Sequence, residues 1–298
     1  MNALHILLSL LGLLAAGFIY FWGREIARDG FAWPHPIAYL IGFVTNFFDT
    51  LGIGSFAPTT AAFKMLKIVP DERIPGTLNV GDALPTIAEA LAIILLIAVD
   101  PLTLILLIVA AIAGAWLGAG VVARWPRRYV QVGMGLALLG AAILFSMKNL
   151  HMGPAGGHAI GLSGTLLWVA IAGNFILGAL MTLGIGLYAP AMIMIGLLGM
   201  DIKTAWPIMM GSCAFLMPIA GARFIRFNAY ELRTALGLSI GGVPGVLIAA
   251  YIVKSLDITI VLWLVVAIVL YTSATMLRSA IVERHTDAAV GAGAIADT

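Results

Sequence analysis

Residues 4–22, 102–123, 130–147 and 258–277 of this chain contain no Asp, Glu, Lys or Arg at all. A helix needs roughly 20 apolar residues to cross a hydrocarbon core, so each run is long enough for one crossing. The whole chain is 62% hydrophobic and only 10% charged, with a mean hydropathy of +1.07. A soluble domain carries charge on about a quarter of its residues. No water-soluble surface can be built from this composition. Helices satisfy their own backbone hydrogen bonds in lipid, whereas barrel strands leave short alternating segments, so the expected class is an all-α polytopic membrane protein. The first run reads as a retained helix, because Gly23-Arg24-Glu25 is not a small-residue cleavage site. One cysteine, Cys213, in an apolar segment excludes an internal disulfide and a cysteine-built metal site. The net charge of +2, scattered over short loops, gives no surface for nucleic acid.

One unit occurs twice. Thr50-Leu51-Gly52-Ile53-Gly54-Ser55-Phe56-Ala57-Pro58 returns as Thr182-Leu183-Gly184-Ile185-Gly186-Leu187-Tyr188-Ala189-Pro190, identical at seven of nine positions. Pro75 and Pro207 keep the same spacing of 132, and Pro85 matches Pro218 after a slip of one. Each copy opens with an interrupted apolar segment (36–69; 168–200) and continues with three helices (74–99, 101–123 and 129–147; 205–224, 232–253 and 258–277). The expected divisions are an N-terminal membrane helix over 1–28, a first repeat over 36–147, an outer linker over 148–164, a second repeat over 165–278 and a disordered cytoplasmic tail over 279–298.

Basic residues favour cytoplasmic loops, which tests how the copies are oriented. If each interrupted segment crosses once, the copies are parallel and the 16 Lys and Arg residues divide evenly between the faces. If each enters and leaves by one face, as a re-entrant hairpin or two short crossings, the copies are inverted. All but Lys148, Lys203 and Lys254 then share one face. The inverted arrangement fits better, with the amino terminus outside and the carboxyl terminus in the cytoplasm of a cell whose plasma membrane it spans. Paired interrupted helices in inverted repeats point to a secondary transporter with its site where the breaks meet. Gly52, Gly54 and Pro58, with Gly184, Gly186 and Pro190, are expected to interrupt the helices, and the amides they free are expected to hold an anion.

On Leu51-Gly52-Ile53-Gly54-Ser55 and Leu183-Gly184-Ile185-Gly186-Leu187 the chain resembles the TauE/SafE family, also called the 4-toluene sulfonate uptake permease family. The likeness covers 36–277. It departs from the usual form where Ser55-Phe56 and Leu187-Tyr188 stand in place of further glycines and the proline comes early. The resemblance implies transport of small sulfur-containing or organic anions, of the sulfite, sulfonate or sulfoacetate type, often outward and without ATP.

Asp49, Asp82 and Glu89 lie in apolar stretches, where an ionised carboxylate costs a few kcal/mol or more. They are expected to serve a proton or a coupling cation, Asp82 and Asp49 ahead of Glu89. Asp82 and Glu89 are seven positions apart, which puts them on one helix face. Met181 stands opposite Asp49 in the second copy, so the role belongs to one half, and Asp82→Asn is expected to abolish pH-driven flux. Asn46, Thr50, Ser55, Thr59, Asn79, Thr182, Tyr188 and Ser212 are candidate uncharged donors to an anion, or else interhelical hydrogen bonds. Glycines at four-residue spacing, Gly237, Gly241 and Gly245 and likewise Gly114 and Gly118, read as close helix packing. The histidines have no metal-ligand spacing, so no metal is expected.

The reading that emerges is a secondary transporter or exporter working by alternating access, not an enzyme and without a cofactor. Expected partners are the small anion, the lipid bilayer, a proton or cation as coupling ion, and a second copy in a homodimer. Two other classes stay open: an integral membrane enzyme that arranges the three acids around a lipid-derived substrate, and a passive anion channel.

Overall fold

A computed structural model describes residues 3–31, 33–52, 54–70, 73–122, 157–182 and 186–253, with scattered positions in 132–150 and 263–282. Among the described residues the protein is helical, without a strand. Four helical segments are long and apolar enough to span a membrane: Leu4–Arg28, Gly164–Met181, Ile202–Arg226 and Leu232–Ile252.

The helices run in the order α1 (Ala3–Asp29), α2 (Pro36–Thr50), α3 (Phe56–Leu66), α4 (Ile74–Gly81), α5 (Ala83–Ile93), α6 (Pro101–Val122), α7 (Gly164–Met181), α8 (Tyr188–Leu197), α9 (Ala205–Arg226) and α10 (Leu232–Val253). Prolines start several of them, since a helix's first amide needs no acceptor. Pro36 opens α2 after an extended His35, and Pro101 opens α6. Asp100 caps α6, its Oδ2 accepting from the Thr103 backbone N–H at 2.8 Å and from Thr103 Oγ1 at 2.7 Å.

The segment expected as one helix over 74–99 is instead bent at Asp82 between α4 and α5. Pro85 has no N–H for the carbonyl of Gly81 four residues back. Ser239 on α10 supplies the missing donor, its Oγ lying 2.6 Å from Gly81 O.

Two close helix pairs dominate the packing, α2 with α10 and α6 with α7. On α10, a Cβ added at Gly241 or Gly245 would strike the backbone of α2 at Tyr39 or Phe43, and one at Gly237 would strike the Ala38 methyl. On the other pair, one added at Gly114 would strike Phe175, and one at Gly178 would strike Ala111. Without Cβ atoms the backbones approach closely, so packing replaces the hydrophobic drive that lipid cannot provide. Around these pairs α9 touches α4, α5, α6, α1 and α8.

Both interrupted segments return to the end from which they started. His35, ahead of α2, donates its backbone N–H to Arg233 O, and Arg73, beyond α3, pairs with Glu231 at 3.4 Å. The second segment is closed by a β-bridge between Ala159 and Met200, with Asp201 N–H donating to Ala159 O at 2.8 Å. Residues 231–233 follow one end of α9 and Met200–Asp201 precede the other. At 1.5 Å per residue that helix is about 33 Å long. The two segments therefore enter the packed unit from opposite ends of α9.

This unit, 1–122 with 156–257, draws on both halves of the sequence. A second unit, 123–155 with 258–298, is described at scattered positions only, where Ser146 and Thr275 each donate to the carbonyl four residues back in helical fashion. Most of the helices expected over 129–147 and 258–277 lies outside the described residues, as does the tail from 283.

Candidate functional site: two helix breaks and three buried carboxyls

The chain leaves α2 at Thr50 and re-enters helix at Phe56, and leaves α7 at Met181 to re-enter at Tyr188. In the first break Gly52 and Gly54 have φ of 87° and 85°, a left-handed backbone that side chains strongly disfavour. A Cβ on Gly52 would also run into Trp206. Gly186 does not use positive φ, and Gly184 lies outside the described residues. Pro58 and Pro190 were expected to help break the helices. They sit instead in the first turns of α3 and α8, where a missing N–H costs nothing. Glycine makes the first break, and the prolines help begin the helices that follow.

The breaks meet reciprocally. A Cβ on Gly54 would lie 3.7 Å from the Cβ of Tyr188, and one on Gly186 would lie 3.8 Å from the Cβ of Phe56. Between them is a small cavity lined by Asp49, Gly54, Ser55, Phe56, Thr86, Met181, Gly186, Leu187, Tyr188, Cys213 and Met217. It has room for about one water. Cys213 Sγ donates to Met181 Sδ at 3.3 Å, so one wall is sulfur and the other carries oxygen.

Asp49, Asp82 and Glu89 are all buried, near enough that a charge on one is felt by the others. Asp49 spans its own break: Oδ1 accepts from the Ser55 backbone N–H at 2.6 Å and Oδ2 from Ser55 Oγ at 3.0 Å. Both breaks were expected to present bare amides to an anion, but at the first the Ser55 amide is already held by Asp49. The second copy has Met181 at the matching position, which has no oxygen to do the same.

Asp82 Oδ1 accepts from Asn46 Nδ2 at 2.9 Å, and its Oδ2 is buried without a partner. Asn46 Nδ2 also donates to Gly42 O one turn back on α2. Glu89 Oε2 accepts from the Tyr188 hydroxyl at 2.5 Å, and its Oε1 is buried and unpartnered. Thr50 lies beside Glu89 and donates its hydroxyl to Asn46 O at 3.0 Å. Among the described residues no Lys, Arg or His acts on any of the three carboxyls.

Of the residues singled out from the sequence, Asp49, Gly54, Ser55, Gly186 and Tyr188 line the cavity, and Asn46, Thr50, Asp82 and Glu89 join it by hydrogen bonds or proximity. Thr59, Asn79, Thr182 and Ser212 are buried but do not line it. Asn79 Nδ2 donates to Pro75 O and Thr182 Oγ1 to Ala179 O, each within its own turn of helix. Ser212 Oγ accepts from Asn174 Nδ2 at 3.0 Å. The sequence reading passed over Asn174, which is fully buried and also donates to Leu107 O at 2.7 Å, tying α7 to α6. An amide alone in an apolar run was the signal for it. Thr86, Cys213 and Met217 carried no such signal.

Compared with family models, with curated proteins and with solved structures, the chain finds no match in any of the three.

Proposed function

We propose that this protein is a proton-coupled secondary transporter of a small anion, built from two inverted repeats that alternate access to a site between their helix breaks. The observation that carries the reading is the reciprocal meeting of Gly54 with Tyr188 and Gly186 with Phe56 beside three buried carboxyls. A soluble-facing enzyme has no reason to hide such groups in an apolar helical core. A carrier does, since its site is sealed from both faces in one of its states.

The inverted arrangement is supported by the way each interrupted segment returns to its own end, 231–233 for the first and 200–201 for the second. It is supported also by the exchange of packing partners. Under the repeat, α2 corresponds to α7 and α6 to α10, so α2 on α10 becomes α7 on α6, and both pairs occur. Such an exchange follows from a two-fold axis between the halves. The cavity, with Asp49 in its wall, is suited to a substrate anion that arrives with protons, because the described lining has no cation to neutralise it. The anion class, sulfur-containing or organic, comes from the resemblance of the glycine motifs. The same reading gives a multi-pass protein of the plasma membrane with its amino terminus outside.

Counterflow of labelled sulfite and sulfoacetate into liposomes carrying the purified protein tests the proposal. Saturable exchange faster than net flux is the expected result. Flux that never saturates would make it a channel, and chemical turnover without flux an enzyme.

A further inference from the structure

We propose that Glu89 is the proton-binding site of this carrier, and that its hydrogen bond with Tyr188 is the contact by which the proton's arrival reaches the second half. The inference rests on the transport reading above and names its coupling ion and coupling residue, in place of the Asp82 and Asp49 that the sequence put first.

The three carboxyls differ in what their oxygens do. Asp49 has both oxygens occupied by Ser55, at the amino end of α3, where a negative charge is favoured by the helix dipole. A proton there falls on an oxygen that already accepts from Ser55, and the bond it weakens lies within the first half. Asp82 has an open oxygen, but its one partner is Asn46, in the same half of the sequence. A proton on Asp82 changes no hydrogen bond between the halves. Glu89 alone combines an open, fully buried Oε1 with a bond that crosses to the second half, through Oε2 and the hydroxyl of Tyr188 at the first residue of α8.

The proton step is simple. A hydronium ion on whichever side has access gives a proton to Glu89 Oε1: one of its O–H bonds breaks, an O–H bond forms on the carboxyl, neutral water is left and the carboxylate loses its charge. Thr50 is the hydroxyl beside it, and its own hydrogen goes to Asn46 O. With Glu89 ionised, the Tyr188 bond is charge-assisted; with Glu89 neutral, it falls to roughly half that strength. Protonation therefore loosens the strap between α5 and α8, and loss of the proton tightens it. A ligand shifts a conformational equilibrium only by interacting differently with the two states, and this bond provides the difference.

The groups that face Glu89 are Asp49 from α2, Asp82 from the junction of α4 and α5, Tyr188 from α8 and, further off, Cys213 from α9, which shares the cavity wall with Tyr188. The repeat holds no second copy of the device. Tyr188 corresponds to Phe56, which has no hydroxyl, and Glu89 falls opposite Gly221 or Ala222. The device therefore occurs once in the chain.

Infrared titration of the carboxyl carbonyl band in the purified, reconstituted full-length protein tests this without any substrate. We expect one protonation-dependent band that is absent in Glu89→Gln and present in Asp49→Asn and Asp82→Asn. Tyr188→Phe removes a donor from the ionised form, so the band should titrate about one pH unit higher than in the parent. In flux assays, Glu89→Gln should lose its dependence on an imposed pH gradient, whatever its residual rate. A band that survives in Glu89→Gln and vanishes in Asp82→Asn would overturn the proposal, as would gradient-driven accumulation by Glu89→Gln. Should that variant not fold, Tyr188→Phe decides: an unmoved band refutes the strap. Failure of the transport reading looks different, with no counterflow in the parent while the infrared band still titrates.

Discussion

At the scale of single residues, the first break depends on a carboxylate and two glycines that nothing else replaces. Asp49 gives Ser55 both of its acceptors and so holds the residue from which α3 starts. A hydrogen bond to a charged group contributes about 1.5–3 kcal/mol, so Asp49→Ala should lower stability by that order, read as a fall in the thermal unfolding midpoint in detergent. Met181 holds the same position in the second copy without such a carboxylate, so Met181→Ala should show only the cost of lost packing and of the weak acceptor it gives Cys213. Gly52 poses a stricter requirement, since φ of 87° and the indole of Trp206 both refuse a Cβ. Gly52→Ala should cost about 1–3 kcal/mol. Gly23→Ala, at a helix position with open space around it, should be neutral or slightly stabilising. Equal effects of the two alanines would mean that the break is not under conformational constraint.

At the scale of elements, the bend between α4 and α5 is a proline defect repaired from another helix. Ser239→Ala leaves Gly81 O buried without a donor and should cost about 1–3 kcal/mol. Pro85→Ala restores an amide four residues on, so in that background Ser239→Ala should cost much less. A double-mutant cycle measures the coupling, and additive losses would show that the serine acts by packing alone. The bend also shows where sequence reading reached its limit. Gly52, Gly54 and their repeat were legible because glycine has few reasons to recur at matched places in apolar segments. The packing role of Gly241 and Gly245 was legible from spacing. That Pro85 would bend one copy, while Pro218 sits within an unbroken α9, was not, because the outcome depends on a donor from a distant helix. The distinction among the acids was beyond the sequence for the same reason. Spacing placed Asp82 and Glu89 on one face, but only folded distances tell which of them meets Tyr188.

At the scale of the whole molecule, the argument concerns which ends of the helices lie together. Basic residues alone favoured inverted halves, and the fold supplies an independent constraint, since His35 and Arg73 bracket the first interrupted segment and both meet residues 231–233. In a parallel arrangement each interrupted segment would cross once, and the positions before and after it would lie on opposite faces of the membrane. The lone cysteine makes the distinction accessible to chemistry. In a Cys213→Ser background, single cysteines at Arg28, Arg73 and Phe227 should react with a membrane-impermeant thiol reagent from one side. A cysteine at Lys203, which follows the second segment and precedes α9, should react from the other. Labelling of positions 28 and 73 from opposite sides would favour the parallel arrangement and refute the proposed inversion. Labelling of 203 from the same side as 227 would mean that α9, about 33 Å long, does not cross the bilayer at all.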